Sequence, residues 1–504
     1  MFPPPIDAGA EVEKVTSIVG KHFTISSVKY SPPEAIFFYV NVGEDMEGKF
    51  DELRKEMVPM NYIPFLTKEG DAHVLIISKT PQRKFYGAQI NLVLFIMTII
   101  TTIISGSTAW VSYQYADLNL STMEYIAYSF RPENLAMGAL VFALPLMLIL
   151  GIHESAHYFT ARKHNVNASL PFFLPMPPFI SPLGTLGAFI SIRDPIPSKK
   201  ALMDIGAAGP IAGFIVAIPV TITGMYLTIT NAHAMPPDSG GSMELGISVL
   251  YYLLALAFPA SGHLIVHPMA FAGWVGLLVT ALNLLPAGQL DGGHIVRALL
   301  GPKTRWLSMG MIIFLFVAGF LFFPSWIFFA FFIMLFGISH PPPLNDISPI
   351  GLKRKVIGIF CIVLLLITFV PEPMKEITPT YSGEIQLVPG ELSEKDVSLN
   401  STVAFNFTIR NTGTAKMDVN VSVNSIRDLV YQGLREANSS ANYTTYYTSG
   451  LAINETKGLI LTFLVPDKAD LLNKTYASKI MLYKIVPDGS QKELGSLSFR
   501  IRVI

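Results

Sequence analysis

The sequence predicts a multi-pass α-helical membrane protein of about seven transmembrane helices, preceded by a small α/β domain and followed by a β-sandwich. Three observations carry this expectation. Apolar types make up 51% of the 504 residues and charged types only 14%, against the roughly 25% charged share of a soluble domain. Apolar stretches near the ~20 residues that cross ~30 Å of hydrocarbon recur between residues 86 and 371. Both flanking regions instead show the alternation and turn residues of folds bathed in water.

Residues 1–85 form the first domain. Ala35–Val42 reads as a strand, Met46–Met57 as a charged helix, and Tyr62–Thr67 and His73–Ser78 as two further strands. No reactive cluster occurs there, which makes it a docking or regulatory unit. The opening residues lack the basic start and apolar run of a signal peptide, and they are not rich in Arg and Ser as a transit peptide would be. In the membrane core, residues 86–371, the spans are expected at 88–107, 136–158, 207–230, 268–288, 306–322, 325–338 and 355–371. Leu245–Phe258 is too short to cross and is followed by Pro259, Gly262 and Pro268, so it reads as a partial or interfacial helix.

Charge placement orients the spans in the cell membrane. Lys79, Arg83 and Lys84 precede the first; Arg162, Lys163, Arg193, Lys199 and Lys200 lie between the second and third. Arg297, Lys303 and Arg305 follow the fourth, and Lys353, Arg354 and Lys355 precede the last, whereas residues 231–267 hold neither Lys nor Arg. The positive-inside rule then places the amino end in the cytoplasm and the carboxyl end outside, a parity that seven spans satisfy. Residues 380–504 alternate with a period of two, as in Val403–Ile409, and read as the extracytoplasmic β-sandwich. Seven Asn-x-Ser/Thr sequons fall there, at Asn400, Asn406, Asn420, Asn438, Asn442, Asn454 and Asn473, against Asn119 and Asn167 elsewhere. That density agrees with an outside location and suggests a glycoprotein, although a Ser/Thr/Asn-rich strand composition without glycans explains it too. The net charge of zero gives nucleic acid no electrostatic support as a partner. The single cysteine, Cys361, excludes an intrachain disulfide and a Cys-ligated zinc cluster.

The chemistry concentrates at the end of the second span, in His153-Glu154-Ser155-Ala156-His157. On a helix His153 and His157 are one turn apart and face the same way, so two imidazoles converge on one cation. Glu154 is offset and can approach water activated by that cation without being a ligand. Ionisable groups at the end of an apolar run are costly, by about 2.5 kcal/mol or more each near the bilayer centre, and are retained for function. A catalytic zinc takes three protein ligands, so one more is needed. Asp291, in Asn283-Leu-Leu-Pro286-Ala-Gly288-Gln-Leu-Asp291-Gly292-Gly293-His294, is a lone carboxylate where the fourth span is expected to end. Taken alone, Asp291-Gly292-Gly293 fits a helix cap or a turn equally well. Depth favours the ligand: His153 lies about 25 Å down an inward-running helix, and Asp291 ends another inward-running one.

These two motifs together resemble the signatures of the site-2 protease family of intramembrane zinc metalloproteases. Gly184-Thr-Leu-Gly187-Ala-Phe189 and Asp204-Ile-Gly206-Ala-Ala-Gly209-Pro210-Ile-Ala-Gly213 are similar to its plastid-greening branch and prokaryotic relatives, over roughly residues 30–340. The resemblance implies a site-2 protease-like core with His153, His157 and Asp291 as ligands of Zn2+ and Glu154 as general base. It implies that Asn283 holds the substrate backbone or the developing oxyanion, and that Gly184 and Gly187 belong to a strand edge that binds an extended substrate. An ordinary re-entrant loop is the other reading of Pro171–Ile192. Gly206, Gly209 and Gly213 read as a helix-packing stripe. The expected activity is hydrolysis of peptide bonds in or near transmembrane segments, with membrane-protein substrates and the lipid bilayer as partners. A metal-binding scaffold that cuts nothing and displays the sandwich is the alternative, which the intact Glu154 disfavours. A metal transporter is disfavoured by the lack of acidic groups along the other spans.

Overall fold

The structure, a computed structural model, describes residues 9–31, 35–43, 45–80, 88–116, 118, 120–233, 243–259, 264–338, 340–376, 381–413, 416–439, 441–443, 446–452, 454–486 and 490–504. Arg83, Lys84 and Asn119, used above for orientation and as a sequon, lie outside the described residues. The chain divides into two units, Met1–Ala234 with Leu245–Met374, and Met235–Glu244 with Lys375–Ile504.

The first unit opens with α1 (Ala10–His22), β1 (Thr24–Ser31), β2 (Ala35–Asn41), α2 (Met46–Met57), β3 (Tyr62–Glu69) and β4 (Ala72–Lys79). The strands form an antiparallel sheet in the order β1-β2-β4-β3. Ile36, Phe38, Leu75 and Ile77 pack with Phe50, Leu53 and Met57 of α2, whose first turn is capped by the Asp45 carboxylate accepting from Gly48 N at 3.2 Å. Two elements go beyond the sequence reading. α1 buries Val15, Ile18 and Val19 at helical spacing, and β1 is an edge strand whose polar, mostly exposed run hides its alternation. The sheet is anchored through Leu66, whose N–H donates to the Leu344 carbonyl (2.7 Å) and whose carbonyl accepts from Asp346 N (3.1 Å).

The helical part follows: α3 (Ala88–Gln114), α4 (Thr122–Ser129), α5 (Pro132–Gly138), a single π turn at Ala139–Ala143 leading into α6 (Leu144–Lys163), β5 (Phe172–Pro175), β6 (Thr185–Phe189), α7 (Lys199–Thr230), α8 (Val249–Ala255), α9 (Pro268–Leu284), α10 (Asp291–Leu300), α11 (Thr304–Leu321), α12 (Ser325–Phe336) and α13 (Leu352–Thr368). Among the described residues, four stretches are long and apolar enough to cross a membrane: Gln89–Gln114, Pro132–Lys163, Lys199–Thr230 and Asp291–Leu321. α9 and Ser325–Leu335 are shorter apolar helices. α8 has seven residues, about 10 Å at 1.5 Å per residue, and does not span.

One expectation is corrected here. Asp291 does not end the fourth span: α9 stops at Leu284, and Asp291 is the first residue of α10. Leu285 leaves helical backbone (ψ 130°), Pro286 has no N–H to continue the ladder, and Gly288 sits at φ +55°.

The second unit is a sandwich of two five-stranded sheets. Thr402–Asn411 alternates as expected, sending Val403, Phe405, Phe407 and Ile409 into the core with Phe463 and Phe499. Turn chemistry accounts for part of the sequon density: Asn400, Asn454 and Asn473 hold left-handed φ of 54°, 61° and 61°, which asparagine adopts more readily than most residues. Asn420 is buried within its strand.

Candidate metal centre

Two helices bring the predicted ligands together. His153 and His157 lie one turn apart on α6, and Asp291 comes from the first turn of α10. The His153 and His157 Nε2 atoms are 3.1 Å apart, and Asp291 Oδ2 is 3.2 Å from each. This is a nearly equilateral triangle of one oxygen and two nitrogens.

The protonation pattern makes the triangle informative. His157 Nδ1 lies 2.7 Å from the Ile205 carbonyl; a carbonyl only accepts, so Nδ1 carries a proton, and in the neutral tautomer the lone pair is at Nε2, the atom turned toward His153 and Asp291. With both rings neutral, a cation among the three atoms relieves the repulsion of their electron pairs. Zinc bonds of about 2.0–2.1 Å at tetrahedral angles require donor separations of about 3.3 Å, close to those observed. His, His and carboxylate form a donor set of catalytic type, so the residues present fit zinc. The bond to Ile205 also orients the ring, as outer hydrogen bonds do for metal-ligating histidines.

α7 supplies the seat. A Cβ at Gly209 would stand 2.0 Å from His157 Nε2, and one at Gly213 would stand 3.1 Å from His153 Nδ1. A Cβ at Gly206 would meet His294 Cβ of α10 at 2.6 Å. The glycine stripe is therefore a packing device, as its spacing suggests, and what it packs against is the candidate metal site. Sequence spacing alone did not identify that partner, and the role of the Ile205 carbonyl carries no sequence signal.

Glu154 is 5% exposed, and its Oε1 lies 3.9 Å from His153 Nε2, beside the triangle. Its carboxylate lies near the backbone of Ile190, the residue after β6. Asn283, on the last turn of α9, brings its Nδ2 to 3.3 Å from His153 Nε2.

The Pro-rich segment forms a hairpin. β5 and β6 pair antiparallel, Phe172 opposite Phe189 and Phe173 opposite Ala188. The hairpin lies along α3: Asn91 Nδ2 donates to the Leu170 carbonyl (2.7 Å), Phe173 packs on Phe95, and Thr101 Oγ1 donates to the Gly184 carbonyl (2.7 Å). From Asn91 to Thr101 the helix rises about 15 Å. The two glycines part company here. Gly184 (φ +71°) is pressed on α3, where a Cβ would lie 2.4 Å from the Thr101 carbonyl oxygen; Gly187 (φ +103°) faces open space.

Comparison with known proteins agrees with this geometry. Residues 141–323 match the model of Peptidase family M50, a range that includes both motifs. The chain is 26% identical over 376 residues to the probable zinc metalloprotease EGY1, chloroplastic, of Arabidopsis thaliana, covering 67% of this chain and 66% of that protein. It is 30% identical over 241 residues to the probable zinc metalloprotease EGY2, chloroplastic, of the same plant, covering 47% of this chain and 42% of that protein. It thus spans less than two thirds of the length of these relatives. The chain carries a Peptidase family M50 domain, of the site-2 protease type, and is similar to that family's plastid branch.

Proposed function

We propose that the chain is an intramembrane zinc metalloprotease that hydrolyses peptide bonds in or near transmembrane segments of other membrane proteins. The observation that carries the reading is the triangle of His153, His157 and Asp291 with Glu154 set 3.9 Å from one ligand atom. Zinc held by those three residues supplies Lewis acidity, polarising a carbonyl and making water a stronger acid. Glu154 accepts the proton of the attacking water and passes it to the leaving amine. Asn283 donates its side-chain N–H to the scissile carbonyl oxygen, where negative charge develops. The substrate lies extended along β6, whose second edge has no strand partner among the described residues. Glu154, near the Ile190 backbone, then stands beside the end of that strand, and Gly187 provides clearance for the incoming backbone. Gly184 shapes the hairpin against α3 instead.

The proposed topology has seven crossings, with residues 1–85 in the cytoplasm and 380–504 outside. Glu154→Gln is the direct test. Purified variant and wild type are loaded with zinc and given membrane-protein substrates; the variant retains metal and loses cleavage by at least about a hundredfold. Cutting at the wild-type rate by the variant, or by chelated wild type, removes the proposal and leaves a metal-binding scaffold.

A further inference from the structure

A polar cavity lined by none of the candidate metal ligands lies at the elbow between α10 and α11. It measures about 180 Å3 and is lined by Arg297, Pro302, Thr304, Arg305 and His340. The elbow forms where Gly301 (φ +60°) and Pro302 end α10 and start the next helix. Two guanidinium groups and no carboxylate are among the described lining residues. Arg297 is buried and its charge is met by Asp346, which accepts from Nη1 and Nη2 at 3.2 and 2.7 Å. Arg305 is exposed and takes part in no ion pair among the described residues. Lys303 adjoins it, and the amino end of the 18-residue α11 begins at Thr304, adding partial positive charge. The cavity therefore favours an anion, and a planar guanidinium at its rim suits the oxygens of a phosphate.

The neighbouring surface indicates where that phosphate comes from. Trp306, next to Arg305, is 80% exposed, and Leu307, Ile313, Phe314 and Val317 of α11 are exposed as well. Exposed apolar side chains on a helix of membrane-spanning character face acyl chains, and tryptophan with arginine at its end marks the level of lipid headgroups. We propose that the α10–α11 elbow binds the phosphate of an anionic phospholipid, with Arg305 as its principal contact and Arg297 as the floor of the site. Its acyl chains run along α11. The same ten-residue α10 carries Asp291 at its first position and Arg297 at its seventh, so the lipid sits on the helix that supplies a proposed metal ligand.

The test uses the full chain in neutral detergent, titrated with short-chain phosphatidylglycerol, phosphatidylcholine of the same chain length, and inorganic phosphate, with bound lipid counted by native mass spectrometry. One phosphatidylglycerol binds saturably per chain, about tenfold more tightly than phosphatidylcholine. Arg305→Gln weakens it about tenfold. Lys355→Gln, an exposed lysine outside the cavity, leaves affinity within about twofold. Equal affinity for both lipids, no loss in Arg305→Gln, or the same loss in Lys355→Gln overturns the site. Phosphate binding as tightly as the anionic lipid, with the same dependence on Arg305, overturns the lipid as its source and assigns the cavity to soluble phosphate esters.

Discussion

At Gly209 there is no room for a methyl group, because it would overlap the His157 ring. Gly209→Ala is therefore expected to raise the zinc dissociation constant by at least about tenfold, the size of effect seen when support around a metal ligand is lost. Gly151→Ala, on α6 where nothing lies within 4 Å, leaves zinc binding unchanged. Metal content after dialysis against graded chelator measures both; equal retention by the two variants contradicts the seating argument. The hairpin offers a second residue-scale contrast. Gly187→Ala adds backbone strain of about 1–2 kcal/mol. Gly184→Ala carries the same strain and must also displace the α3 backbone, so its melting temperature falls further. The ranking fails if Gly187→Ala is the less stable of the two.

Among the elements, α10 decides whether the proposed ligands meet. Its first turn is set by the Leu285–Leu290 loop, and its far half is held by the Arg297–Asp346 pair, whose side chains are only 7% and 12% exposed. Asp346 also lies 3.6 Å from Lys199 Nζ at the start of α7, and its backbone N–H bonds to Leu66 of β3. One residue thus ties together α7 and α10 through its carboxylate and the amino-terminal sheet through its backbone. Asp346→Ala leaves Arg297 buried without a partner and is expected to destabilise the unit by about 3–5 kcal/mol. Thermal unfolding should show a lower midpoint together with weaker zinc retention. A normal midpoint would mean that Arg297 finds another acceptor. The elements themselves were largely legible. Met46–Met57 was read with its true ends, because charge and apolar spacing mark them. The amino end of α7 was placed eight residues late, since Lys199 and Lys200 interrupt the apolar run although they stand on helix. β1 was passed over because an edge strand needs few buried side chains to stay paired.

For the whole molecule, the seven-crossing proposal predicts that the two ends are labelled from opposite sides. Cys361 is the chain's one cysteine and is buried, so a Cys361→Ala background leaves introduced thiols as the only targets. Asp71→Cys and Lys468→Cys occupy exposed positions. In sealed, right-side-out vesicles an impermeant maleimide should modify only the second; labelling of both, or of the first alone, rejects the parity. If glycans are attached, they fall on exposed asparagines such as Asn400, Asn454 and Asn473 and spare Asn420, which mass mapping of sites checks.

Composition, apolar run length and the one-turn spacing of His153 and His157 determined that this chain enters a membrane and holds paired imidazoles on one helical face. These properties are local, decided by solvent transfer and helical periodicity, and so they are written in contiguous residues. The closure of the triangle by Asp291 was inferred from a motif, and only the tertiary structure decided its form. A carboxylate 134 positions from His157 reaches it because a broken helix turns back at Leu285–Leu290 and a glycine stripe lets α7 press against both rings. Close approach between distant segments depends on which side chains are absent from the gap, and no single stretch of sequence records that.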